Sequence, residues 1–263
     1  MLLFFTLFFA AGAIVASFVG VLYGRLHTGQ SIVSGRSHCD LCGQLLSIFA
    51  LVPIVSYLVS FGRARCCGAR ISARSPLSEF LLGILFALSY AKLGFSFALP
   101  FVLIALAALL ALVLYDLAHQ VLPPSFLGVF LVSSTVASLL QAASLYAFGV
   151  ALITAGLISL SLGLLHVFSR GRAIGLADAP LSFGLALFAG SAALPGFVFS
   201  FWIGALVGIV VLARRPRGSR MGVEVPFAPF LAAGFLLAYF ISWNPFILIA
   251  ACRNRRERNP LSL

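Results

Sequence analysis

The stretch LYDLAHQVLPP, residues 114–124, places one carboxylate, Asp116, at the end of a long apolar run. Residues 101–114 carry no charge, which is typical of a helix that crosses a membrane. A charged group at a membrane boundary costs a few kcal/mol unless it faces a bundle interior, a partner or water. Asp116 is therefore a candidate functional residue as well as a helix-end marker.

The composition assigns the whole chain to the membrane. It is 62% hydrophobic and only 9% charged, whereas soluble domains average about 25% charged residues. The apolar runs do not alternate as barrel strands would. We therefore predict an all-α integral membrane protein, a bundle of about eight transmembrane helices of about 20 residues each. The expected spans are residues 2–23, 78–93, 98–117, 126–146, 149–168, 180–193, 195–213 and 226–249.

Basic residues predict the orientation of these spans. Arginine accounts for sixteen of the seventeen basic residues, and most lie between apolar runs, as expected for cytoplasmic loops beside anionic lipid. We expect four regions: a first transmembrane helix at 1–24 that is not a cleaved signal peptide, a cytoplasmic loop rich in cysteine and arginine at 25–76, a transmembrane helix bundle at 77–250 and a basic tail at 251–263. The lipid bilayer is the expected partner. Nucleic acid is not, because no aromatic-basic surface accompanies the charge.

Two segments leave this topology open. Eight spans place both termini outside, and the arginine-rich tail then contradicts the positive-inside bias. Either the tail is exported, or the last apolar run is a hairpin or half-span broken near residues 243–245. Residues 45–61 form an apolar piece interrupted by Pro53, which either packs on the membrane surface or inserts as a re-entrant segment.

A second aspartate shares the setting of Asp116. The chain has six acidic residues, and Asp178 lies in GLADAPL, residues 175–181, at the start of an expected span on the same membrane face. Each aspartate alone suits an ordinary helix end. Two carboxyl groups brought close do not both ionise readily, so one can activate water while the other protonates the substrate carbonyl. We expect Asp178 to be the base and Asp116 the acid, because helix starts favour negative charge.

Cysteines mark a candidate metal site in the cytoplasmic loop. Cys39-Asp40-Leu41-Cys42 has zinc-knuckle spacing, and the adjacent pair Cys66-Cys67 follows. Disulfides are not expected in a reducing compartment, so Cys39, Cys42, Cys66 and Cys67 are candidate zinc ligands, with His38 as a substitute. The alternative is a set of incidental thiols.

The sequence resembles the type IV prepilin peptidases, intramembrane aspartyl proteases of the Gly-x-Gly-Asp type. The resemblance covers most of the chain. It rests on ordered segments at residues 16–26, 34–42, 53–57, 62–72, 76–79, 116–123, 175–178 and 224–231.

This resemblance implies a bacterial inner-membrane enzyme with its active site toward the cytoplasm. Asp116 and Asp178 would be catalytic, and the substrate would be the short basic leader of type IV prepilins or type II secretion pseudopilins. It also implies methylation of the new amino terminus from S-adenosylmethionine, although the sequence contains no Rossmann-type fingerprint.

Four positions depart from the family pattern. Ala177 replaces a glycine, Pro180 a lysine and Pro124 an aspartate, while Ala64 occupies the third cysteine position and Cys66 lies two residues further on. We expect the methyl group of Ala177 to restrict the backbone beside Asp178. Two other functions stay open: a proton-coupled transporter in which both aspartates relay protons, and an inactive scaffold of a pilus or secretion system.

Overall fold

The computed structural model describes residues 2–25, 42–45, 52–171, 174–214 and 226–241. These residues form nine α-helices and a 3-10 turn. The described part contains isolated bridge residues, including the bridge between Arg63 and Arg70, but no strand. The predicted all-α class is confirmed. The helices are α1 Leu2–Arg25, α2 Val55–Val59, α3 Arg74–Leu93, α4 Leu99–His119, α5 Pro124–Gln141, α6 Leu145–Phe168, α7 Asp178–Ala189, α8 Ala193–Ala213 and α9 Ala228–Ile241.

Each of the eight expected spans corresponds to one helix, namely α1 and α3 to α9. By length and composition the described residues contain six candidate membrane spans, because Asp178–Ala213 counts as one stretch of 36 residues and α9 is too short to be counted. The helix α9 is apolar but has only 14 residues. The basic tail and residues 243–245 lie outside the described residues.

The boundary between α5 and α6 differs from the expected one. The sequence predicted spans at 126–146 and 149–168, whereas α5 ends at Gln141 and α6 begins at Leu145. The reason is an N-cap: the hydroxyl of Ser144 accepts a hydrogen bond from the amide of Ala147 at 3.1 Å. At the other end, α5 begins at Pro124, where the missing N–H costs nothing.

The chain divides into two compact units, Met1–Phe130 and Leu131–Leu263. In the first, α1 packs closely along α3, and both contact α4. A Cβ atom on Gly12 would lie 2.6 Å from the carbonyl oxygen of Leu82, and one on Gly83 would lie 2.8 Å from the ring of Phe9. Facing glycines thus let the two backbones approach, as is common between membrane helices.

A buried carboxylate ties the loop before α3 to that helix. Glu79 is 5% exposed, and its Oε2 accepts a hydrogen bond from the amide of Ile54 at 2.8 Å. Ile54, with φ 60°, is the centre of a γ-turn in which the amide of Val55 donates to the carbonyl of Pro53. The expected apolar piece at 45–61 contains α2, which has only five residues. Residues 46–51 lie outside the described part of the chain.

In the second unit α7 forms the core. Ten of its twelve residues are buried, and it contacts α6, α8 and α9. At 12 residues and about 1.5 Å per residue it is shorter than the bilayer core. One hydrogen bond joins α9 to the end of α5: the hydroxyl of Tyr239 donates to the side-chain carbonyl of Gln141 at 3.3 Å. The start of the buried helix α7 is where Asp178 lies.

Candidate active site

Asp178 is the first residue of α7, at the helix start that the sequence predicted, and its side chain is buried. Its Oδ2 accepts a hydrogen bond from the amide of Gly175 at 3.1 Å. The amide groups at the start of a helix also favour a carboxylate there. The side chain is therefore held by the backbone of its own motif.

The geometry of residues 175–178 shows why residue 175 is glycine and how Ala177 fits where the family carries glycine. A Cβ atom on residue 175 would lie 3.3 Å from Oδ2 of Asp178, so only glycine leaves that carboxylate uncrowded. Ala177 is the N-cap of α7, with φ −71° and ψ −16°, ordinary right-handed values. Alanine adopts this conformation without strain, so its methyl group does not disturb the backbone beside Asp178.

Two polar side chains of α6 hold the backbone on either side of Asp178. His166 Nδ1 lies 2.7 Å from the carbonyl oxygen of Ile174. The hydroxyl of Ser159 donates to the carbonyl oxygen of Ala179 at 2.8 Å. Neither residue was singled out from the sequence. The available signal was their spacing of seven residues, which puts two polar groups on one face of an apolar helix.

Asp116 is buried in the last turn of α4, the position that the sequence predicted. Its carbonyl oxygen accepts a hydrogen bond from the amide of Gln120 at 2.8 Å, and Gln120 ends the helix in the left-handed conformation. His119 is exposed, and its ring packs against Tyr115 with centroids 4.5 Å apart. Asp116 belongs to the first unit and Asp178 to the second, so their pairing stays a prediction.

Three of the four candidate metal ligands lie together. The Sγ atoms of Cys42 and Cys66 are 3.3 Å apart, and those of Cys66 and Cys67 are 3.8 Å apart. All three are exposed and lie within 4.8 Å of one another, close enough to hold one metal ion. A tetrahedral zinc ion with bonds of about 2.3 Å to sulfur separates its ligands by roughly 3.8 Å, so the donors fit zinc. Cys39 and His38 lie outside the described residues.

A short turn carries two of these cysteines. The amide of Ala64 donates to the carbonyl of Ala69, and the amide of Gly68 donates back to the carbonyl of Ala64, both at 2.7 Å. These bonds fold residues 64–69 into a compact turn that contains Cys66 and Cys67. The sulfur of Cys66 thereby reaches the cluster although Ala64 occupies the third cysteine position of the family pattern.

The described residues offer no fitting site for S-adenosylmethionine in their apolar groove. This groove has a volume of about 310 Å³ and is lined by Phe4, Leu7, Phe8, Ala11 and Phe95. None of these side chains hydrogen-bonds, whereas a charged nucleoside cofactor needs polar partners. This groove therefore does not fit the cofactor.

Comparison with known proteins gives several related sequences. The model of the bacterial peptidase A24 N-terminal domain matches residues 10–93. A Bacillus subtilis protein named prepilin leader peptidase/N-methyltransferase is 30% identical over 89% of this chain and 93% of its own length. Proteins of the same name are 36% identical in Burkholderia pseudomallei, over 81% of this chain and 69% of theirs, and 35% identical in Myxococcus xanthus, over 82% and 65%. No solved structure matches the chain significantly.

Proposed function

Since this chain belongs to the prepilin leader peptidase family, we propose that it is an aspartyl endopeptidase of the bacterial inner membrane. Its substrates would be type IV prepilins or pseudopilins, from which it removes the short basic leader at the cytoplasmic face. The names of the relatives favour this peptidase function over the transporter that the sequence left open.

One observation carries the catalytic part of the proposal. Each aspartate is buried at an end of a helix whose residues are mostly buried, Asp116 in the last turn of α4 and Asp178 in the first turn of α7. A buried carboxylate in an apolar chain is costly unless it has a function or a partner. Asp178 is in addition oriented by the amide of Gly175.

The proposed chemistry requires both carboxyl groups to reach one water molecule, each within about 3 Å. In the proposal the ionised aspartate removes a proton from this water, whose oxygen attacks the scissile carbonyl. The protonated aspartate donates to the carbonyl oxygen, and a tetrahedral diol forms. When the C–N bond breaks, the first aspartate gives the proton it took from water to the leaving nitrogen. The second aspartate recovers its proton from the diol as the new carboxyl group forms. No metal or nucleophilic serine takes part. Asp178 is our choice for the base because it lies at a helix start.

The test is cleavage of a co-expressed prepilin by Asp116→Asn and Asp178→Asn variants. Asparagine keeps the size of the side chain and removes its acid–base function, so each change should lower cleavage at least about 100-fold. Shortened prepilin on a gel is the readout, with equal amounts of each variant in the membrane fraction. Glu257→Gln, in the basic tail, is the matched control. Normal processing by either aspartate variant would disprove the assignment of Asp116 and Asp178 as the catalytic pair.

The cysteine cluster supports a second part of the proposal, a structural zinc ion. Cys42, Cys66 and Cys67 would hold it together with Cys39, or with His38 as a substitute for one thiolate. Zinc would join residues 42–45 to the turn at 64–69. We propose no catalytic role for this ion.

The names of the relatives also include an N-methyltransferase activity. For this chain we propose it only as a property of the family, with S-adenosylmethionine as methyl donor. The apolar groove described above does not fit that cofactor, and no step of the proposed mechanism passes through it. Mass measurement of the mature pilin amino terminus would detect the methyl group.

A further inference from the structure

We propose that His166 is a positioning residue for Asp178, acting through one peptide group of the loop that precedes α7. The inference rests on the proposed role of Asp178 in cleavage. It concerns contacts within the second unit only, and His166 itself would not touch substrate.

The connection passes through the peptide group between Ile174 and Gly175. His166 Nδ1 lies 2.7 Å from the carbonyl oxygen of Ile174. Because a carbonyl oxygen can only accept, Nδ1 must carry the proton and donate it. The amide of the next residue, Gly175, donates to Oδ2 of Asp178 at 3.1 Å. That carbonyl and that amide belong to a single rigid plane.

This plane makes the two hydrogen bonds mechanically dependent. A trans peptide group points its C=O and its N–H in opposite directions, and it rotates as a unit. When His166 holds the oxygen end, the N–H end points at the Asp178 carboxylate. When that bond is lost, the plane can rotate and the amide of Gly175 leaves Oδ2.

The turn that follows α6 holds the backbone of His166 and leaves room for its ring. His166 lies in the last turn of α6, and the amide of Gly171 donates to its carbonyl oxygen at 2.9 Å. Gly171 has φ +76°, and a Cβ atom there would lie 3.3 Å from Cε1 of the ring. Glycine at this position thus both completes the turn and leaves room for the imidazole.

A second bond from the same helix face fixes the other side of Asp178. The hydroxyl of Ser159, two helical turns before His166, donates to the carbonyl of Ala179, as does the hydroxyl of Ser182. Asp178 therefore lies between two backbone carbonyls that α6 holds. Misplacing a reacting group by about 1 Å can cost about 100-fold in rate, so the loss of one such bond should be measurable.

Two variants of His166 separate hydrogen bonding from packing. In His166→Asn the side-chain amide offers a donor near the position of Nδ1, whereas His166→Leu fills similar space without a donor. We expect His166→Leu to lower kcat for prepilin cleavage about 10- to 100-fold with little change in KM. His166→Asn should stay within a few-fold of the unchanged protein. Val167→Ala, an exposed neighbour in the same helical turn, is the control and should be neutral.

Hydrogen exchange gives a readout that does not depend on activity. A peptide covering residues 174–178 should exchange faster in His166→Leu than in His166→Asn, because the amide of Gly175 loses its acceptor. A His166→Leu variant with normal kcat and normal exchange would overturn the inference. So would a His166→Asn variant as impaired as His166→Leu. An active Asp178→Asn variant would instead reject the proposed function, while the exchange result would still decide the positioning role.

Discussion

At the residue scale, the exposed thiols of Cys42, Cys66 and Cys67 make the proposed zinc site open to direct measurement. We expect purified protein to contain about one zinc ion per chain. Cys67→Ser should lower this content severalfold under a competing chelator, because serine is a poor zinc ligand. Elemental analysis measures the metal, and Cys252→Ser, outside the cluster, is the control. Purified protein without zinc would remove the proposal.

The sequence predicted two aspartates at helix ends but neither their burial nor the side chains that support them. An apolar run that ends in a carboxylate before a turn is visible in the chain itself, as at Asp116. The bonds from His166 to Ile174 and from Glu79 to Ile54 join a side chain to a distant backbone atom. Such bonds depend on where the folded chain returns, which no local pattern contains. The same is true of Cys66, which the turn at 64–69 brings into reach of Cys42.

At the scale of elements, the close contact of α1 and α3 predicts that stability depends strongly on side-chain size at Gly12. Gly12→Ala should destabilise the protein by about 1–3 kcal/mol, because its new methyl group would meet the backbone of Leu82 at 2.6 Å. Gly20→Ala in the same helix meets nothing within 4 Å and should be neutral. Thermal unfolding in detergent compares the two. Equal midpoints for both variants would show that the helices can separate without cost.

Helix existence was predictable from composition, whereas helix ends were not. The apolar runs correctly indicated α1 and α3 to α9 because burial in lipid requires long apolar stretches. The boundary near Ser144 was misplaced because a single capping bond decides it. The run at 180–193 already indicated a short span, and α7 has 12 residues. Its neighbours α6, α8 and α9 pack against it.

At the scale of the whole molecule, labelling of Cys252 in the basic tail can test the predicted topology. Eight spans place Cys252 outside the membrane, against the bias of the neighbouring arginines. In a variant with Cys39, Cys42, Cys66 and Cys67 changed to serine, an impermeant maleimide added to intact spheroplasts should label Cys252.

The control for this labelling retains only Cys66, which should react after lysis but not before, because its loop is predicted to be cytoplasmic. A Cys252 that reacts only after lysis would place the tail inside. The run at 226–249 would then be a hairpin or half-span, and the bundle would have seven full spans by this count.

The division into two compact units has a thermodynamic consequence for the proposed enzyme. Asp116 depends on the fold of one unit and Asp178 on the fold of the other. If the units melt independently, the active fraction at any temperature is the product of their two folded fractions. Heat inactivation then follows the less stable unit, and substitutions that strengthen the other leave the inactivation temperature unchanged.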